Sequence, residues 1–305
     1  MRLAVRVLLL DRAAGRVTAT LRSESIPSVL LKGVSTQRLL YPGGFRPYGD
    51  VDLLVSPYDW TKSISCLKRL GFDDVFRPPN EEKHSRPFRR ADGVVVDLHR
   101  SLVTASCSPE ECWVVLSGRT TTQTCGGEAV AMLDPPALVA VVALHAAQHG
   151  HAEPKPIADL IRAVSRMGED VWQEAAEVAA RLGAAETMAA GLRMVPGGDA
   201  MAARLGLPGQ LSAAVRLRAA SAPSASVELA RIVAASDREE RRRLLRPVLM
   251  PTDVELRRRA WARRVAPWPG GRVLARLVWW ARLSVEVPGA AAWWWRHRRD
   301  GPATP

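Results

Sequence analysis

Apolar and polar positions change their spacing several times along the first hundred residues, and each change marks an element. Up to about residue 25, Leu8, Leu9, Leu10, Ala19 and Leu21 supply apolar positions at helical intervals, which predicts a helix. Ile26-Pro27 breaks that pattern, and residues 28–31 read as a strand running into Lys32-Gly33. A short helix follows over 35–40, ended by Tyr41-Pro42-Gly43-Gly44. A strand period then begins. In a strand over 50–55, Val51, Leu53 and Val55 point into a core while Asp50 and Asp52 share the other face. Ser56 is a good N-cap and Pro57 suits a first helical position, so a helix is predicted over 58–70, with Ile64, Leu67 and Leu70 on its apolar stripe and Gly71 as its stop.

Weaker strand patterns at 72–76 and 87–90 flank a polar, proline-rich stretch at 77–86. Asp92-Gly93 is a hairpin signal that sets a strand over 94–99 antiparallel to the one before it. There Asp97 and His99 share a face, with Val96 and Leu98 opposite. After about Leu133 the pattern becomes helical. Asp134-Pro135-Pro136 opens a helix through His149, and Ala, Leu, Arg and Glu dominate to Arg246, punctuated at Gly168, Gly183, Pro196-Gly197-Gly198 and Pro208-Gly209. The predicted architecture is α+β: a small mixed β-sheet core with flanking helices over residues 1–130, an α-helical domain over 131–250, and a basic, Trp/Arg-rich C-terminal segment over 251–305.

Composition narrows the partners. A formal charge of +12 and a pI near 10.5 favour nucleotides, nucleic acid, anionic membrane or an acidic peptide. The charge is concentrated near the end, where residues 237–300 hold sixteen Arg against seven Asp and Glu, a surplus of nine. Seven of the ten Trp lie there as well: Trp261, Trp268, Trp279, Trp280, Trp293, Trp294 and Trp295. Either they pack the segment onto the helical domain, or they form a basic aromatic surface for anionic membrane or a partner; stacking on nucleic acid is less favoured because no RNA-binding signature accompanies them. The N-terminus lacks a signal-peptide pattern, and no run of about 18 apolar residues predicts a transmembrane helix. Cys66, Cys107, Cys112 and Cys125 suit a reducing compartment and lack zinc-knuckle spacing. A cytoplasmic protein, with peripheral membrane association through the C-terminal segment, is the expectation.

The candidate chemistry is acidic. If the strands at 50–55 and 94–99 are neighbours, Asp50, Asp52 and Asp97 converge. Carboxylates gathered in this way repel one another, a penalty that bound Mg²⁺ or Mn²⁺ removes. A pair of such ions can hold the attacking and leaving oxygens of an in-line displacement at phosphorus. An isolated Asp-x-Asp is commonly a turn or a solvated strand edge. A glycine turn before it and a third acid on another strand make the set more specific.

These residues, Lys32-Gly33-Val34-Ser35, Arg46-Pro47-Tyr48-Gly49-Asp50-Val51-Asp52 and Val96-Asp97-Leu98-His99, resemble the uncharacterised bacterial nucleotidyltransferase family of the polymerase-β-like superfamily, over roughly residues 26–151. Some members of that family occur beside lasso-peptide and other peptide natural-product genes. The resemblance implies that Asp50 and Asp52 are the paired metal ligands and Asp97 the third acid. It also implies that the Lys32-Gly33 element stands where the superfamily has a Gly-Ser turn cradling the NTP triphosphate, with Ser35 or Lys32 assisting. The sequence departs from that Gly-Ser pattern here. Arg46 and Tyr48, just upstream of the acids, are candidates to contact phosphate or base, or else belong to a solvent-facing loop; His99 is placed to touch substrate. His145 and His149 share a helix face near His151. They either approach the site or pack at a domain junction, and no Glu is placed for a metalloprotease.

The expected activity is transfer of a nucleoside monophosphate from an NTP, with ATP-binding implied, to a hydroxyl or phosphate on a peptide or small-molecule acceptor. Toxin-like transfer to tRNA or protein, a metal-dependent glycosyltransferase and a noncatalytic basic binding module are the rival readings.

Overall fold

The computed structural model describes residues 2–75, 84–220, 224–251, 256 and 271–297. Trp261, Trp268 and most of the proline-rich stretch at 77–86 lie outside the described residues, as does the side chain of Trp293.

The first helix, α1 (Arg2–Ser23), buries Val7, Leu10, Ala14, Val17 and Leu21. Their three- and four-residue spacing forms one apolar stripe. It leads to β1 (Ser28–Leu30), α2 (Val34–Leu40) and β2 (Val51–Val55). Ser56 caps a 3-10 turn (Pro57–Asp59) by accepting a hydrogen bond from the Tyr58 N–H, and α3 (Trp60–Arg69) continues from it. Next come β3 (Phe72–Asp74), β4 (Ser85–Arg90) and β5 (Val95–His99). Gly93, at positive φ, sits in the β4–β5 hairpin as the Asp-Gly signal predicts.

Three elements appear that the apolar pattern did not announce. Helix α4 (Pro109–Ser117) starts with a capping box in which Ser108 and Glu111 satisfy each other's backbone N–H groups. After it, β6 (Thr120–Cys125) and β7 (Glu128–Leu133) form a hairpin closed by Gly126-Gly127, both at positive φ.

The strands make one seven-stranded mixed sheet in the order β3-β4-β5-β2-β1-β7-β6. The pairs β2–β5 and β1–β7 are parallel, and the others antiparallel. Val51, Leu53 and Val55 of β2, Val96 and Leu98 of β5 and Val130 and Met132 of β7 share a core with α1 and α3. Alternation therefore sends Asp52, Asp97 and His99 to the opposite face.

Helix α5 (Pro135–His149) is apolar on nearly every side and buried along most of its length, as befits an internal helix. It is followed by a 3-10 turn (Gly150–Ala152), α6 (Pro154–Arg166), α7 (Glu169–Arg181), α8 (Ala185–Leu192) and α9 (Gly198–Arg204). The remaining helices are α10 (Ala213–Ala219), α11 (Ser224–Ala234), α12 (Arg238–Leu249) and α13 (Gly271–His297). The chain divides into two compact units. The larger holds the sheet and the helices to Gly209; the smaller holds the chain from Gln210, together with His149–Ala152. No helix among the described residues is long and apolar enough to cross a membrane.

Candidate active site

The parallel register of β2 and β5 sets Asp52 directly beside Asp97. Two residues further along β5, His99 turns its ring to the same face, and its Nε2 lies 3.1 Å from Asp52 Oδ1 and 3.2 Å from Asp97 Oδ2. Ligand atoms of Asp52, Asp97 and His99 all fall within 4.8 Å of one another. Lys32, just past β1, places Nζ 3.4 Å from the same Asp52 oxygen. Ser85 on β4 donates its hydroxyl to Asp97 Oδ2 at 3.1 Å. Asp50 lies in the bend that enters β2, exposed at the surface and outside that tight trio.

The charges explain how these acids coexist. Burial acts to raise the pKa of Asp52, but Lys32, the hydrogen bond and charge of His99, and the charge of His145 overcome it and hold the carboxyl well below its ordinary range. For His99, burial acts to lower the pKa, and the hydrogen bonds to Asp52 and Asp97 instead push it up to about 9. Imidazolium is therefore the favoured form, and with the Lys32 ammonium it neutralises the carboxylates. Asp50 is shifted the other way: desolvation among its neighbours and the charge of Asp52 raise it, Asp97 adds to that, and Lys32 and Lys155 oppose it.

The donor set fits a hard divalent cation. A buried and a half-buried carboxylate on adjacent strands, a third two positions upstream and a positive charge already drawn between them are the elements of a cation site. Asp97 Oδ1 is buried without a hydrogen-bond partner, as is His99 Nδ1. In the first turn of α2, Ser35 Oγ and Thr36 Oγ1 are likewise buried and unpartnered. Gly33 opens that turn at φ 72°, and a Cβ there would press on the Tyr48 ring at 3.3 Å.

Two residues expected to meet the nucleotide are engaged elsewhere. Arg46 is buried and forks onto Asp159 of α6, with Nε 2.7 Å from Oδ1 and Nη2 2.5 Å from Oδ2. Tyr41 donates to the same carboxylate at 2.6 Å, and Arg162 lies over the Tyr41 ring at 4.3 Å. The bidentate geometry anticipated for a phosphate is thus spent on a carboxylate of the same shape. Tyr48 is buried in the sheet core and donates its hydroxyl to Asp11 of α1. Neither belongs to a solvent-facing loop. His84 approaches His99, with ring centroids 6.3 Å apart. His149 ends α5, and His151 lies in the 3-10 turn after it.

A family described as uncharacterised nucleotidyltransferase matches residues 2–196, a stretch that contains the whole sheet and every residue of the acidic cluster. The chain belongs to that nucleotidyltransferase family. Membership makes it an enzyme of nucleotidyl transfer, and the glycosyltransferase and noncatalytic readings fall away. Among solved structures, the solution structure of the antibiotic-resistance factor ANT(2'')-Ia is similar at 16% identity, covering 60% of this chain and 96% of that one, with a TM-score of 0.43. An antigenic nucleotidyltransferase-like protein from Paracoccidioides brasiliensis is similar at 19% identity over 57% of this chain and 92% of that one, with a TM-score of 0.34. No curated protein is similar enough in sequence to count as a match.

Ser85, Thr36 and Lys155 were not anticipated in this nucleotidyltransferase. Ser85 faces Asp97 only because β4 begins two residues earlier than its apolar pattern announced. Lys155 follows the Pro at the start of α6, and its own pKa is lowered by desolvation and by the neighbouring charge of Arg46.

Proposed function

We propose that this nucleotidyltransferase is metal-dependent and moves a nucleoside monophosphate from an NTP to a hydroxyl or phosphate acceptor, with release of pyrophosphate. The observation that supports this most is the side-by-side register of Asp52 and Asp97, with Asp50 two residues upstream. Asp50, Asp52 and Asp97 would hold Mg²⁺ or Mn²⁺. When bound, such ions neutralise triphosphate charge and favour ionisation of the attacking group.

The chain's own groups have separable parts in this reading. Lys32 and Lys155 add positive charge around Asp50 and Asp52, which favours an anionic triphosphate there. Ser35 and Thr36 contribute hydroxyls that lack any other partner. Ser85 orients Asp97, the third acid of the set. Arg46 acts at one remove, by fixing the segment between α2 and β2 to α6 through Asp159. ATP is the first nucleotide to test, a peptide natural product of the lasso type the first acceptor, and the cytoplasm the expected compartment.

A pyrophosphate-release assay over a panel of acceptors tests this reading. Turnover is expected to vanish with chelator, to return with Mg²⁺ or Mn²⁺, and to fall at least about a thousandfold in Asp50→Asn and in Asp97→Asn. Turnover that persists in chelator, or survives both substitutions, contradicts it.

A further inference from the structure

The last helix of the smaller unit carries a feature that nucleotidyl transfer does not use. Along α13, Val273, Leu277, Trp280, Ser284 and Val287 follow one another at four- and three-residue intervals, so they share one face. That face is turned to solvent: Val273 is 61% exposed, Leu277 60% and Trp280 44%. Leu274 and Val285 widen it on one side, and both are exposed. Ser284 donates its hydroxyl to the Ala281 carbonyl at 2.8 Å, so it satisfies its polarity within the helix.

The opposite side of α13 is the one that packs. Ala275 and Trp279 share a small core with Leu256, while Trp294, beyond Pro288 and past the end of the strip, packs against Leu217, Val227 and Ala230. Trp279 also donates its indole N–H to the Val248 carbonyl, 3.0 Å away, at the end of α12. The exposed strip is therefore not a core face lacking its neighbour. It is a second, outward apolar face on a helix that is already anchored.

Arginine flanks that strip on both sides. Arg276 and Arg282 are exposed next to it, and α12 adds five more arginines within the same unit. Among the described residues the strip itself bears no charge. From Val273 to Val287 it is about 21 Å long at the helical rise. It is too polar around its circumference to span a bilayer, and has the length and two-sided character of a helix that lies along one.

We infer that α13 docks this protein on an anionic lipid bilayer, with Val273, Leu277 and Trp280 entering the interface and Arg276 and Arg282 meeting the headgroups. Charge selects this occupant over a second copy of the chain. Two such helices face to face would bring arginine against arginine, whereas an anionic bilayer accepts the apolar strip and the arginines together. Trp at the edge of the strip suits the boundary between headgroup and acyl chain.

Flotation of the full-length protein tests the inference, using phosphatidylcholine vesicles with and without about one-third phosphatidylglycerol. The protein is expected to float with the anionic vesicles and to stay behind with the neutral ones. Leu277→Asp combined with Trp280→Asp is expected to lower partitioning more than about tenfold. Arg276→Gln with Arg282→Gln is expected to lower it about fivefold per arginine, and added salt to weaken the wild type. Circular dichroism and NTP turnover equal to wild type show that each variant is folded. Equal flotation of the apolar double variant overturns the inference, as does equal binding to neutral vesicles. A dimer in light scattering that this double variant dissociates, without flotation by the wild type, overturns it in favour of a second copy.

Discussion

The Nε2 of His99 lies within hydrogen-bond distance of two carboxylates, and together they raise its pKa from 6.5 to about 9 against the burial that opposes them. Folding therefore strengthens proton binding at this group. Its contribution to stability is fully present below pH 6.5 and is lost as pH rises through about 9. Asp52 acts in the opposite sense. Its depressed pKa contributes stability above its ordinary value of 3.8, lost only as pH falls below that range. Between pH 6.5 and 9 the His99 effect stands alone of the two, so metal-free protein is expected to lose roughly 3 kcal/mol over that interval. Urea denaturation in chelator at several pH values measures this, with His99→Gln expected to flatten the slope. A slope unchanged in His99→Gln would show that the acids do not hold that proton. On the proposed reading the same proton would compete with a cation for Asp52 and Asp97, so alkaline conditions are expected to favour metal loading.

Among the elements, β2 and β5 were legible because each sets an acid between apolar residues, Asp52 between Val51 and Leu53 and Asp97 between Val96 and Leu98. Their adjacency was a condition that only the sheet order supplies. The β6–β7 hairpin escaped notice for a physical reason. The residues of β6 read Thr-Thr-Thr-Gln-Thr-Cys, a polar edge strand with most of its side chains in solvent, so hydrophobic periodicity cannot reveal it. Gly126-Gly127 was the signal that would have found it. Arg46 illustrates a different limit. A guanidinium suited to a phosphate suits a carboxylate equally well, and its partner Asp159 lies 113 residues away. This ion pair is buried on both sides. Arg46→Met is accordingly expected to cost about 3–5 kcal/mol by stranding Asp159, and Arg46→Met with Asp159→Leu to recover most of that loss. Chemical denaturation of the two variants decides the matter. If the double variant is no more stable than the single one, the pair is not the tie that holds the segment between α2 and β2.

For the molecule as a whole, the formal charge of +12 pointed to an acidic partner without choosing one. The two units divide that question. The family-matched stretch, residues 2–196, ends inside the larger unit, where the acids of β2 and β5 and the Lys32 ammonium cluster in the site proposed for phosphoryl chemistry. The arginine-rich α12 and α13 belong to the smaller unit, outside that match. Its sequence displayed the arginine and tryptophan, but which tryptophans pack and which face solvent required the helix in place. The central claim concerns the larger unit: the acids at 50, 52 and 97 direct attack at the α-phosphorus of an NTP. The most direct measurement compares acceptor labelling from α-labelled and γ-labelled NTP by the wild-type enzyme and Asp52→Asn. Label is expected in the acceptor from the α position only, and from neither position in Asp52→Asn; transfer from the γ position, or α-transfer undiminished in Asp52→Asn, would contradict the account.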